Sequence, residues 1–336
     1  MCMFAGDLND QTMFKPLTVA EIAFAEGGPF YHVCTAPIED DVLFRTRDDY
    51  VLINNIIAVA VFISGVRLLA FAIMDNHLHF ILEGKKSDCV IFFEAVHRML
   101  MNYYTRHGRA GSFAKMQPKY IDITSLDQLL TEIAYVIRNP FVVRTDVNLL
   151  AYPWTSGYLY FNPMADTGGE PASTLRGRRL RAFIHSRAMT EVDERIRIRD
   201  GKANPASFVD YKRVEMFFGN ARDFQMHVFK NVEAQVETSK RLGEEPRLND
   251  QEMISVSFKL CRSLFSKNHM KDLSEEQKKR LAKTLKDEFG GSNKQIARCT
   301  NLPIQVVNAM FPLSIPREEQ CAPPNTFASP DRTKTP

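Results

Sequence analysis

Residues 66–84 read VRLLAFAIMDNHLHFILEG. An apolar run, 66–74, leads directly into Asp75-Asn76 and a second run that carries two histidines one residue apart. Short apolar runs bounded by turn residues suit buried strands. Side chains alternate along a strand, so His77 and His79 share one face while Leu78 points into the core. Outward from this stretch, FYHVCTAP at 30–37 reads as a further strand, β-branched and aromatic and ended by Pro37. Asp48-Asp49 can cap a helix through YVLINNIIAVAVFI. Residues 88–107 repeat Val90, Phe93, Val96, Met99 and Leu100 at helical spacing. Residues 108–122 read as a Gly- and Lys-containing loop. Ser125 then starts a third helix, LDQLLTEIAYVIRN, and Pro140 stands at its end. The order implies an α+β fold, a small antiparallel sheet with helices packed on it.

The chain has 336 residues, enough for two modest domains. Residues 1–28 hold a short helical piece, LTVAEIAFAEGG, and form an N-terminal extension to a domain at 29–162. NPMADTGGEPAST marks a linker at 163–175. An all-α region is expected at 176–312, followed by a disordered tail at 313–336, rich in Pro, Thr and charge. The apolar and charged fractions, 45% and 25%, are those of a soluble globular protein, and the net charge of +3 means any basic footprint is local. Six cysteines without CxxC spacing argue against a zinc ribbon or a disulfide framework, and reduced thiols fit a cytoplasmic chain. Residues 51–74 imitate a membrane span. Asn54, Asn55, Ser64-Gly65 and Arg67 interrupt the run, and an arginine at a helix centre costs about 2.5–3.5 kcal/mol. No membrane association is expected, and no charged n-region suggests a signal peptide.

Two features carry chemistry. Two neutral imidazoles on one strand face can chelate a divalent ion, although a bare HxH equally suits a polar sheet face. In an otherwise apolar strand the two rings need partners, which favours a site. Tyr135 and Asn139, four apart on the third helix, share a face, so a phenol and an amide oxygen can point at one centre. Alone, a tyrosine among Ile133, Val136 and Ile137 also reads as a core residue whose hydroxyl finds a hydrogen bond.

Taken together, FYHVCTA, VRLLAFAIMDNHLHFILEG, AYVIRNP and AYPWTSG, in this order over residues 29–160, resemble the REP-associated tyrosine transposases, a group of the His-hydrophobe-His single-strand endonucleases. Asp75 departs from the proline many relatives have before Asn76. The resemblance implies a ferredoxin-like palm with His77, His79 and Asn139 as metal ligands, Mg²⁺ or Mn²⁺ as cofactor, and Tyr135 as nucleophile. The implied substrate is single-stranded or hairpin DNA, nicked and rejoined through a 5′-phosphotyrosine. Tyr103 and Tyr104 are competing nucleophiles, but only Tyr135 shares a helical face with Asn139.

Basic residues suggest phosphate contacts: Arg106, Arg109, Lys115 and Lys119 around the 108–122 loop, and Arg176, Arg178, Arg179 and Arg181 at the head of a basic run that extends to 202. Trp154 can stack an unpaired base, or pack a corner. Near the C-terminus, Ser274 with Gln277 forms a capping box, and residues 292–311 resemble a helix-turn-helix with 303–311 as recognition helix, offering Gln305 and Asn308. Competing readings are a rolling-circle initiator or relaxase of the same chemistry, and a DNA-binding regulator whose nuclease site is a relic. A small-molecule metal hydrolase is disfavoured, because no further His or carboxylate has ligand spacing. Monomer and homodimer both remain open.

Overall fold

A computed structural model describes residues 17–38, 42–143, 152–165, 167–185, 191–230 and 232–312. The expected tail at 313–336 lies outside the described residues, as do residues 1–16 of the extension. The chain divides into two compact units, Met1–Asn249 and Asp250–Pro336.

In the first unit, β1 (Phe30–Thr35), β2 (Arg67–Ile73), β3 (Leu78–Glu83) and β4 (Pro118–Ile123) form one sheet in the order β2-β3-β1-β4, antiparallel at every pairing. Helices α1 (Val19–Ala25), α2 (Arg47–Ser64), α3 (Lys86–Arg106), α4 (Ala110–Ala114) and α5 (Leu126–Val143) surround it. Strand parity decides what faces what. Phe80 meets Phe92 of α3 edge to face, so the Leu78, Phe80 and Leu82 side of β3 lies toward α3. His79 lies on the other side, toward α5. Cys34 of β1 and Ala72 of β2 flank His79 in the register.

Local chemistry accounts for the boundaries. Thr46 caps α2, with Asp49 completing the capping box, so the cap is one threonine upstream of the expected Asp48-Asp49 pair. Asp49 is also fixed by the Tyr104 hydroxyl at 2.7 Å and by Arg109 at 3.3 Å. The expected loop at 108–122 contains α4 and the edge strand β4. Pro118 opens that strand, where its missing donor costs least. Helix α5 does not stop at Pro140 but runs one more turn to Val143. Proline removes one backbone donor there, and a site this near the helix end tolerates the loss. No described helix is long and apolar enough to cross a membrane.

Beyond 162 the structure departs from a linker followed by helices alone. Residues 170–203 contribute a second antiparallel sheet of β5 (Glu170–Pro171), β6 (Arg197–Arg199) and β7 (Lys202–Ala203), with α6 (Gly177–Ile184) between the first two strands. Asp200 and Gly201, at φ 50° and 79°, make the left-handed two-residue turn joining β6 to β7. Ala172, fully buried, belongs to the main core. Asn54 and Asn55, the polar interruptions of α2, reach this region. Asn54 donates to the Ala203 carbonyl at 2.8 Å, and Asn55 donates to the Phe183 carbonyl at 2.9 Å and accepts from the Ala203 amide at 2.7 Å. Helices α7 (Tyr211–Phe218), α8 (Ala221–Lys230) and α9 (Val232–Leu242) complete the unit. Arg213 of α7 is bound to the buried carboxylate of Glu83 at 2.9 Å.

The second unit is helical in its described part: α10 (Asp250–Phe265), α11 (Glu275–Asp287), α12 (Asn293–Thr300) and α13 (Ile304–Met310). Ser274 and Ser292 each form a capping box, with Gln277 and Gln295. Asn301 at φ 53° makes the turn between α12 and α13.

The Tyr152–Gly157 segment covers the outer edge of β2. Ile73 donates to the Trp154 carbonyl at 2.9 Å, and the Phe71 amide donates to Ser156 Oγ at 3.1 Å. It also passes under α5: a Cβ at Gly157 would lie 2.6 Å from Ile137 Cγ2. Gly157→Ala is therefore expected to cost about 1–3 kcal/mol through overpacking. Chemical denaturation measures it, and an unchanged midpoint would disprove the close approach.

Candidate active site

One helical face of α5 presents Glu132, Tyr135 and Asn139, spaced three and four apart, to the His79 side of the sheet. Asn139 Nδ2 lies 2.9 Å from His79 Nε2. An amide nitrogen only donates, so His79 Nε2 is the acceptor and carries its lone pair toward Asn139. His77 Nδ1 lies 2.8 Å from Asn76 Oδ1, an acceptor, which leaves the lone pair of His77 on Nε2. The rings of His77 and His79 are 4.8 Å apart and nearly perpendicular, and the Tyr135 ring stands edge-on to His79 at 5.9 Å.

A residue without any local signal completes the cluster. Glu244 lies in the loop after α9, just past Gly243 at φ 73°. Its Oε2 accepts a short hydrogen bond from the Tyr135 hydroxyl, and its Oε1 lies 3.6 Å from His79 Nε2. Glu244 Oε1 is buried with no hydrogen-bond partner among the described residues. It therefore faces an imidazole nitrogen that is itself an acceptor. The lone pair of His79 Nε2 is taken by Asn139, so the unpartnered Glu244 oxygen 3.6 Å away is what suits a cation. One ligand atom each from His77, His79 and Glu244 falls within 4.8 Å of the others, a set that fits a divalent ion. His32, Cys34 and His79 form a second group of the same compactness on the opposite edge of the His79 ring. There the Cys34 thiol is pushed up to about 12, by burial first and by Glu244 second, so it is not a ready thiolate.

The electrostatics suit metal ligation. Burial, then the neighbouring His79, drives His77 down to about 3, against an opposing pull from Glu244. Burial, with His32 beside it, holds His79 well below the usual imidazole range. Both rings are thus neutral, the form that ligates. Burial, then the Glu244 carboxylate, raises Tyr135 well above an ordinary phenol. A cavity of about 40 Å³ adjoins the cluster, bordered by His77, Tyr135, Arg138, Asn139, Gln235 and Glu244. Gln235, 3% exposed, has no hydrogen-bond partner among the described residues for either side-chain polar atom.

The structure thus brings together His77, His79, Tyr135 and Asn139. It places the other tyrosines elsewhere. Tyr104 is fully buried, stacked on Phe113 at 3.8 Å, and Tyr103 packs on His107 and His185. The residues expected to touch nucleic acid divide. Arg109 is engaged by Asp49 and the Leu43 carbonyl, at 3.3 and 2.7 Å, and serves the fold. Trp154 stacks on Tyr50 at 5.1 Å and Lys202 Nζ lies over its ring at 4.9 Å, a packing position. Arg106 is exposed and donates to the His185 carbonyl, while Lys119 donates to the Leu242 carbonyl at 2.6 Å. Lys115, Arg178 and Arg181 are exposed, as are Arg176, bonded to the Leu175 carbonyl, and Arg179, 3.8 Å from Glu170. In the second unit Gln305 is exposed on α13, and Asn308 accepts from Asn293 at 2.9 Å.

No family model matches the chain, and no curated protein matches it. Among solved structures, a REP-associated tyrosine transposase bound to a REP hairpin is similar over 40% of this chain and 78% of its own, at 11% identity and a TM-score of 0.31. That likeness is too distant to define the fold or the activity of this chain.

The depressed His77 has a measurable consequence. Between about 6.5 and about 3 the unfolded chain binds a proton at this position that the folded protein does not. Stability of the metal-free protein therefore falls as pH drops through that window. Thermal melts in the presence of chelator, from neutral pH to about pH 4, are expected to show this fall, with a shallower slope in His77→Gln. Parallel slopes for the two proteins would refute the assignment.

Proposed function

We propose that the chain is a metal-dependent endonuclease and strand transferase that nicks and rejoins single-stranded or hairpin DNA through Tyr135. The observation that carries this reading is the meeting, in one buried cluster, of two neutral imidazoles, a carboxylate with an orphaned oxygen and the only tyrosine hydroxyl among them. The ordered motifs around the His pair and Tyr135 support the same class.

His77, His79 and Glu244 would hold the ion, with Asn139 joining once its amide turns its oxygen inward. Bound there, Mg²⁺ or Mn²⁺ would neutralise phosphate charge and ease departure of the 3′ oxygen. The protein supplies the rest. Tyr135 Oη attacks phosphorus as its proton passes to Glu244 Oε2, the bond from phosphorus to the 3′ oxygen breaks, and the leaving oxygen takes a proton back from Glu244 or from solvent. The products are a 5′-phosphotyrosine and a free 3′-hydroxyl, which reverses the step on rejoining. A cavity of about 40 Å³ holds a water or an ion but no nucleotide. The reading therefore requires the cavity to widen when DNA enters, with Glu244 still in reach of Tyr135. The exposed arginines of α6 are the proposed phosphate contacts, and Gln305 of α13 a proposed second DNA contact.

Incubation of the full chain with hairpin oligonucleotides and Mn²⁺, followed by mass spectrometry of DNA-linked peptide, tests the proposal. Nicking and an adduct on the Tyr135 peptide are expected, with both abolished in Tyr135→Phe and retained in Tyr103→Phe. Full cleavage by Tyr135→Phe would remove Tyr135 as nucleophile. Hairpin binding without any nicking would favour a regulator instead.

A further inference from the structure

The His79 ring is engaged from behind as well as in front. His32 Nε2 lies 3.0 Å from His79 Nδ1, and His32 Nδ1 lies 2.7 Å from Glu132 Oε2. The other oxygen of Glu132 accepts a short bond from Arg241. His32, His79 and Glu132 are all fully buried. Four side chains from β1, β3, α5 and α9 thus form one connected chain, with Thr238 beside Arg241.

We propose that Arg241, Glu132 and His32 are positioning residues that fix the tautomer of His79, so that its Nε2 lone pair faces the metal position. Directionality follows from donor chemistry. Arg241 can only donate and an ionised Glu132 can only accept, so His32 carries its proton on Nδ1. A singly protonated His32 then accepts at Nε2, which places the His79 proton on Nδ1 and leaves Nε2 without one. The Asn139 amide nitrogen reaches the same conclusion from the opposite side of the ring. Such outer partners orient a ligating imidazole and strengthen it as a ligand.

The chain can be reversed by one isosteric change. In Glu132→Gln the single amide oxygen must face Arg241, which has no lone pair to offer, so the amide nitrogen donates to His32 Nδ1. Every proton downstream inverts, and His79 Nε2 becomes an N–H that cannot ligate. Removing the arginine as well, in Glu132→Gln with Arg241→Met, frees the amide to turn and restores the original direction. In His32→Gln the amide nitrogen serves Glu132 and the oxygen serves His79, so the direction is kept.

The inference rests on the metal reading of the preceding subsection, and the test separates the two. The full chain, labelled with ¹⁵N at histidine, is assayed metal-free by ring-nitrogen chemical shift and then titrated with Mn²⁺ by electron paramagnetic resonance. Wild type and His32→Gln are expected to show His79 protonated on Nδ1. Glu132→Gln should show it protonated on Nε2, with Mn²⁺ affinity reduced roughly 10–100-fold and recovered in the double variant. A wild-type His79 protonated on Nε2, or a folded Glu132→Gln with unchanged tautomer and affinity, overturns the relay. Should Glu132→Gln not fold, a loss of the Nδ1 proton in His32→Gln overturns it equally. Nδ1 protonation with no Mn²⁺ binding in wild type leaves the relay standing and sinks the metal reading.

Discussion

A neutral imidazole with no access to water, bonded through both nitrogens, is the constraint around which the first unit is arranged. His79 has 0% exposure, and each nitrogen has one partner, His32 on the sheet and Asn139 on the helix. An unsatisfied ring nitrogen there would cost on the order of 1–3 kcal/mol. The ring therefore fixes two distances at once: the register of β1 against β3, and the height of α5 above the sheet. Ile137 over Gly157 sets the second of these independently. Displacing α5 would separate Tyr135 from Glu244 and Asn139 from His79 together, so the packing of that helix and the chemistry of the cluster are one property.

The sheet and the principal helices were legible because their signals are local. Alternation placed His77 and His79 on one face, and a four-residue spacing put Tyr135 and Asn139 side by side. Glu132 carried the same helical signal, three residues before Tyr135, and His32 carried a strand-parity signal. Neither could be paired with His79 before β1 and β3 were known to be neighbours. Glu244 has no signal at all. It lies 109 residues from Tyr135, and only the path of α9 brings it to the site. Edge strand β4 was hidden because Ile123 alone of its six residues is fully buried and the exposed ones do not alternate, so no period of two shows. The β6-β7 hairpin is marked only by the turn dipeptide Asp200-Gly201, between strands of two and three residues too short to show a period.

Charge runs told less than they promised. Arg109 sits in a basic loop, yet its guanidinium neutralises the buried capping carboxylate of α2 and lies over the Tyr104 ring at 4.8 Å. Trp154 likewise closes the β2 edge. The arginines of α6 differ in kind. They stand on the solvent side of a short helix whose Leu180, Phe183 and Ile184 are buried, and Arg178 and Arg181 are exposed there. The extent of the first unit has the same origin. Asn54 and Asn55 read as interruptions of an apolar run, but they are the hydrogen bonds that tie residues 183 and 203 to α2.

The two rims of the four-stranded sheet are unlike, and this bears on self-association. Tyr152–Gly157 occupies the β2 rim. The β4 rim begins with Pro118, which has no amide hydrogen, and continues through Lys119 and Asp122. Another strand approaching there would meet a missing donor and charges of both signs. Lateral growth into a shared sheet, the common route to fibres and to strand-exchanged dimers, is thereby blocked on one flank and discouraged on the other.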